Sequence, residues 1–426
     1  MSLFKSLMSL PGLPWRAQQK LEYWVEKRVR NARPALYRWL HFGSTRERAQ
    51  PVTFGPKHHF FGYYEKSPWN APQTLLLAHE AEFNNRPPGP GDRVRIGIVH
   101  LTDNRFEPLA ESAAWNWQQG AMLQWHPGDP EYQFIHNDLR NDMHVGIMRD
   151  TSGNEIAVYD RPIYAILPNG KTAFSVNFSR LAIHRPGYGY AGPIDPFLND
   201  PHPTQDGIWY INLETGNSEL LISLNQLAKL NPSPSMQGGF HYINHIQPSR
   251  SGEWIAFFHI WTSGKQGWKV RLYIYRTDGS ELKCLLDTDK ISHYDWLDDE
   301  AILVWATHPE TSKPHFIHLD LDGAVGIFGK DSLTEDGHCT FSPDKHWVLN
   351  DTYPDRFDMR TLMLVEWPEG KRIDIARLYS PKSEWWGEIR CDLHPRWNRD
   401  GRKVCIDSVH EGTRQMYMID VSEWTS

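Results

Sequence analysis

Two histidines four residues apart, His241 and His245 in "SMQGGFHYINHIQPS" (235–249), have the types and spacing that suggest metal chemistry. On a helix such a pair faces one ion. On a strand, four residues extend about 13 Å at roughly 3.3 Å each. A Zn²⁺ ion with ligand bonds near ~2.1 Å cannot then take both. The stretch falls in a strand-and-turn pattern, so the second case applies. His241 then stands at the start of a strand, and His245 is expected deeper, in a structural role.

The strand belongs to a recurring unit: a short strand ending in Pro or Trp, a polar turn, a more apolar strand, and a third strand closing in a D/T-G turn. Seven copies are punctuated by Pro68, Pro127, Pro168, Pro248, Trp296, Pro343 and Pro395, with gaps of 59, 41, 80, 48, 47 and 52 residues. A period near 45–50 with about four strands per unit marks a β-propeller, because one such sheet cannot bury both faces alone. Composition agrees: 13% aromatic, 31 Gly and 30 Pro suit many short strands joined by turns. The expected fold is all-β, a seven-bladed propeller over 51–426. The long gap holds "HRPGYGYAGPIDPFLNDPHP", a loop too long for a plain turn and therefore a candidate for function.

In a propeller, the starts of first strands and the ends of second strands meet at one mouth. The starts carry Tyr63, Gln119, Tyr164, His241, His293, His338 and Arg390. The ends carry His79, Glu80, His136, Asn137, Arg180, His259, His308, Asp351 and His410. A ring of this kind points to a ligand or catalytic site, with Gln119, Asn137, His259 and Tyr188 of the long loop as substrate contacts.

Residues 1–50 stand apart, with ten Lys/Arg against three Glu, which leaves −14 on the rest of a chain whose net charge is −7. Within them "WRAQQKLEYWVEKRVRNARPALYRWLHF" carries an apolar stripe through Leu21, Trp24, Val25 and Val29. The expected amphipathic helix either lies on an anionic membrane or packs under the propeller. No secretion signal and no run of about 18 apolar residues is present, so the cytoplasm is expected, with peripheral contact at the inner membrane as an option. Four cysteines make no disulfide framework. An acidic body argues against nucleic acid, and no GxSxG, Walker or CxxC pattern occurs.

At "NFSRLAIHRPGYGY", "DGIWYINLETG", "GGFHYINH" and "DGHCTFSPD" the chain resembles the seven-bladed polysaccharide lyases, ulvan lyases first and oligogalacturonate lyases more distantly. The resemblance implies β-elimination on a uronate-containing glycan: a base takes the C5 proton while a neutraliser holds the carboxylate. By position it implies Tyr164 as the catalytic tyrosine, Arg180 as carboxylate binder and His136 as assistant. It also implies a metal, zinc, with manganese or calcium as alternatives, on His184, with Asp206, His241, His338 and Cys339 as fellow ligands. The second-blade histidine pair of the family is incomplete, because "NWQQGAM" holds Asn116, Gln118 and Gln119. Two other readings stay open: a glycosyltransferase or processing partner of cell-surface polysaccharide synthesis, and a non-enzymatic scaffold.

Overall fold

Seven four-stranded antiparallel sheets follow one another along the chain in a computed structural model that describes residues 48–263, 267–288 and 290–425. The expected helix at 15–42 lies outside the described residues. Blade 1 runs from His58–Phe60 through Leu75–Ala81 and Val94–His100 to Arg105–Ser112. Blades 2 to 6 begin with the innermost strands Gln124–Trp125, Ala165–Ile166, His241–Pro248, Ile291–Trp296 and Thr340–Phe341. Blade 7 is composite: Arg396–Trp397, Lys403–Ser408 and Gln415–Asp420 are completed on the outside by Gln50–Pro51. Its outer strand pairs Gln50 with Met418 and Pro51 with Tyr417, so the two ends of the propeller share one sheet.

The blades stay together through apolar clusters that fill the spaces between neighbouring sheets. One device repeats. Trp125, Trp296 and Trp397 each end an innermost strand and donate their indole N–H to a carbonyl of the preceding blade, at Pro68 (2.7 Å), Gln247 (3.1 Å) and Thr340 (3.3 Å). A large apolar side chain with one directional donor both fills the seam and fixes the stagger. Trp296 is completely buried.

The long segment between the second and third strands of blade 3 carries a short helix, Phe178–His184. Asn177 caps it by accepting from the Arg180 N–H. Arg180 therefore sits on a helix and not at the end of a strand, as the repeat suggests; the second strand has already ended at Ser175. Among the described residues no helix is long and apolar enough to cross a membrane.

The ring closes on a buried ion pair. Arg396 Nη2 lies 2.8 Å from Asp407 Oδ2, and both side chains are almost fully enclosed. Asp407 also accepts from the Phe61 N–H (3.2 Å) and the Gly62 N–H (3.4 Å), while Arg396 donates to the carbonyls of Gly62 and Tyr63. Blade 7 thus holds the chain where it leaves the first strand of blade 1. Removing one partner of such a pair leaves an uncompensated buried charge, at a cost of about 3–5 kcal/mol. Asp407→Ala is accordingly expected to lower the chemical denaturation midpoint sharply. A variant that unfolds with the wild-type midpoint would contradict this role.

Candidate active site

The innermost strands of blades 4 and 5, and the segments that lead into those of blades 6 and 7, deliver four histidines to the centre of the ring. Between His58–Phe60 and Trp69 the chain leaves blade 1 and inserts Tyr63 and Tyr64 among them. Gly62 turns at φ +129° and passes so close to the Gln119 carbonyl that a Cβ would stand 2.9 Å from its oxygen. The Tyr63 ring centroid lies 5.0 Å from that of His245, 6.5 Å from His293, 6.0 Å from His338 and 4.8 Å from His394. Its hydroxyl is 3.4 Å from His245 Nε2.

His245 reaches the channel because its strand is irregular. Asn244 pairs with Phe258, yet the next pair is Gln247 with Ala256, so His245 and Ile246 form a bulge. His245 adopts φ +55°, an uncommon backbone state for a side chain of this size. Burial, then His293 and Arg185, hold its pKa well below the usual histidine value, so the ring is neutral at pH 7. The expectation of a deep structural residue is corrected: the bulge turns His245 into the centre. His293 rides on a similar irregularity between Ile291 and Tyr294 and bonds Asp336 through Nδ1 at 3.0 Å.

His338, Asp392 and His394 form a potential metal centre, with one ligand atom from each lying within 4.8 Å of the others. Each imidazole is fixed by its Nδ1: His338 by Asp351 Oδ1 and His394 by the Gly62 carbonyl, both at 2.8 Å. That leaves Nε2 of each buried and without a partner. Fixing one nitrogen by a carboxylate or carbonyl is the arrangement that aims the other at a metal. Burial pushes the Asp392 carboxyl up, but Arg390 and Arg360 together hold it well below the ordinary value. Arg390 Nε donates to Oδ2 at 2.6 Å, while Oδ1, in an ion pair with Arg360 at 2.7 Å, accepts no hydrogen bond among the described residues. Two imidazoles and a carboxylate suit zinc or manganese. The sequence-derived set is not assembled here: among the described residues, His338 alone of its five members joins this cluster.

The other members are engaged elsewhere. His241 Nδ1 meets His259 Nε2 at 2.8 Å, which places both in one buried pair away from a substrate. His184 stacks on Phe240 at 5.0 Å, Asp206 accepts from Asn177 and Gly207, and Cys339 is enclosed in the seam between blades 5 and 6. His136 is used at both nitrogens, by the Asn137 carbonyl and by Arg149 Nε. Asn137 holds Ile163 and Tyr190.

Arg180 has no N–H left for a ligand. Its five N–H groups go to Asp195 and to the carbonyls of His241, Phe197, Asp200 and Pro201. Arg185, five residues on, is the guanidinium that faces the channel. It lies 5.2 Å from the Tyr188 ring and 4.8 Å from the Trp268 ring; its charge adds to the burial that lowers the pKa of His245 and opposes the burial that raises that of Tyr242. No hydrogen bond or ion pair occupies it among the described residues. Tyr188 is at the site, 5.9 Å from His245, with its hydroxyl accepting from Arg390 Nη2 at 2.7 Å.

Tyr164 supports His245. Its hydroxyl donates to Asn244 Oδ1 (2.9 Å) and accepts from Gln119 Nε2 (2.8 Å) and from the His245 N–H (2.9 Å). The bulge has taken that N–H out of the ladder, and Tyr164 satisfies it. Donor and both lone pairs are spent, so the hydroxyl is not free for proton transfer.

The fold and this centre define a seven-bladed β-propeller with a histidine-rich channel. No protein-family model matches the sequence, and no curated protein is similar to it in sequence. Among solved structures it is similar to the oligogalacturonate lyase of Vibrio parahaemolyticus, at 11% identity and TM-score 0.61, covering 87% of this chain and 93% of that one. An oligogalacturonate lyase in complex with manganese matches at 14% identity and TM-score 0.58, covering 87% and 92%. The propeller of the trilobed protease of Pyrococcus furiosus matches at 12% identity and TM-score 0.49, covering 85% and 96%. At these identities the likeness to the two lyases shows the fold alone.

Two outcomes are expected. Protein stripped with chelator takes up about one zinc or manganese ion per chain by elemental analysis, and His338→Ala with His394→Ala takes up none. Tyr164→Phe leaves the His245 N–H and the Gln119 amide unsatisfied, at about 1–3 kcal/mol for each buried group. It should melt lower and shift the His245 ring signals in ¹⁵N-histidine spectra, while those of His308 on the rim stay in place.

Proposed function

We propose that this protein is a lyase that cleaves a uronate-containing glycan by β-elimination. One observation supports it above the others: an unpaired guanidinium, Arg185, and the partnerless nitrogens of His338 and His394 share one channel with the hydrogen-bonded pair His245 and Tyr63. An acidic sugar supplies the anion this centre lacks. The likeness to oligogalacturonate lyases and the sequence resemblance to ulvan lyases favour the same chemistry.

Arg185 holds the substrate carboxylate, its planar fork matching two oxygens. His245, neutral, takes the C5 proton at Nε2. The C5–H electrons form the C4–C5 double bond, and the C4–O4 bond breaks with its electron pair on the leaving oxygen. Tyr63, kept protonated because burial raises its pKa well above 10, gives its hydrogen to that oxygen. The pair then resets across its own 3.4 Å contact. The carboxylate's charge also offsets Arg185 and raises the basicity of His245 at the moment it is needed. A divalent ion on His338, His394 and Asp392 would add positive charge beside the carboxylate and make the C5 proton more acidic.

The test is absorbance near 235 nm, where the unsaturated uronate appears, over galacturonan, glucuronan, alginate and ulvan oligosaccharides. Activity is expected on at least one. His245→Ala should lose about 10²–10⁴-fold in kcat, the usual worth of general base catalysis, and Arg185→Ala should raise KM as well. A panel with no 235 nm product at any metal loading rules out the lyase.

A further inference from the structure

A second half-buried guanidinium faces a different space. Arg161, on the connection from blade 2 to blade 3, lies with Cζ 3.2 Å from the Trp209 ring centroid and donates from Nε to Ser218 Oγ at 3.2 Å. Among the described residues no carboxylate forms an ion pair with it; Asp160 and Asp206 act on it from a distance. Arg161 lines a groove of about 800 Å³ beside the long loop, with Pro162, Phe178, Ile194, Phe197 and Trp209 as its apolar wall. That volume falls within the range of roughly 300–1,000 Å³ typical of small-ligand sites. Ile194 is 79% exposed at the rim, unusual for a side chain of its size.

His144 lines the same groove and is 9% exposed. Its ring donates to the Ala191 carbonyl, and its Nε2 is buried without a partner. Burial lowers its pKa to about 4, so that nitrogen carries a lone pair at neutral pH. The groove therefore lacks two things: an anion for the fork of Arg161 and a hydrogen-bond donor for His144. Asp142, Asp160 and Asp206 also line it, three carboxylates against one guanidinium. They disfavour a second negative charge inside the groove, such as that of a phosphate dianion, and they accept hydroxyl hydrogens. A ring with one carboxylate, several hydroxyls and one apolar face meets every demand.

The groove adjoins the channel. Phe178 in its wall stacks on Tyr164 with ring centroids 5.9 Å apart, and the Tyr164 hydroxyl holds the His245 backbone. We propose that the groove at Arg161 and His144 is a second glycan site, which binds a uronate residue of the same chain that the central channel cleaves. It rests on the lyase reading for the ligand class, and gives the protein a preference for longer chains.

The test measures binding of galacturonate and glucuronate hexamers by calorimetry in a His245→Ala, Arg185→Ala background, which removes turnover and the central carboxylate contact. Hexamer binding is expected to persist there. Arg161→Gln and His144→Ala should each weaken it about tenfold, the worth of roughly 1.4 kcal/mol. Leu220→Trp, which narrows the groove, should weaken it as well. In the otherwise wild-type protein Arg161→Gln should raise KM for a hexamer and leave turnover of a dimer unchanged. The proposal is overturned if hexamer affinity ignores all three substitutions, or if neutral hexamers or inorganic phosphate bind with the same dependence on Arg161. Arg161-dependent hexamer binding in a protein with no 235 nm product keeps the groove and removes the lyase, so the two readings fail separately.

Discussion

Everything at the centre of this propeller hangs on the Gly62 carbonyl. Arg396 and His394 both donate to it, and Asp407 takes the N–H groups on either side of the Phe61–Gly62 peptide. The same carbonyl that fixes the chain path into the channel fixes the tautomer of His394. An ion pair in blade 7 thus decides where Tyr63 stands, which nitrogen of His394 is free, and whether the ring is closed. Buried pairs contribute little net stability because desolvation offsets attraction. This one acts as a template whose geometry other residues inherit.

The second constraint is electrostatic. Four imidazoles stand around one tyrosine, His293 and His338 with centroids only 4.1 Å apart. Such crowding is tolerable because burial keeps His245, His293 and His394 on the neutral side. Arg360 and Arg390 both pair with Asp392 at close range, which leaves one positive charge among the three. Arg185 and a set of lone pairs add to it. The channel is therefore a poor place for nothing and a good place for an anion with a cation.

Much of the architecture is legible in the sequence. Pro68, Trp296 and their counterparts mark the end of each first strand because the turn after it needs a rigid or bulky stop, and their spacing announces seven blades. The long loop after blade 3's second strand is likewise visible as a broken interval. The site is less so. A regular strand puts His245 in a deep position, and a one-residue bulge moves its side chain to the other face. No composition rule announces that bulge. Arg180 and Arg185 are both plausible carboxylate binders by type; the difference is that the helix after Asn177 aims Arg180 at five acceptors and leaves Arg185 with none. His394 and Asp392 carry a weak signal, a D-x-H beside the last punctuating proline, which alternation of faces brings to one side. Tyr164 is expected at the mouth as the catalytic tyrosine, and what alternation does not reveal is that three neighbours claim its hydroxyl.

The outermost strand of blade 7 has a consequence for how the molecule comes into being. His394 and Gly62, which meet at the centre, are separated by 332 positions, and Gln50–Pro51 waits for Gln415–Asp420. Blades 2 to 6 are built from neighbouring hairpins, which form early and locally. The histidine cluster at the centre has no local precursor. A ribosome emitting this chain releases a nearly complete arc whose two ends are still strangers, with an unpaired strand edge at each. The central cluster is assembled only when the strands from Arg396–Trp397 to Gln415–Asp420 arrive and the arc is drawn into a ring.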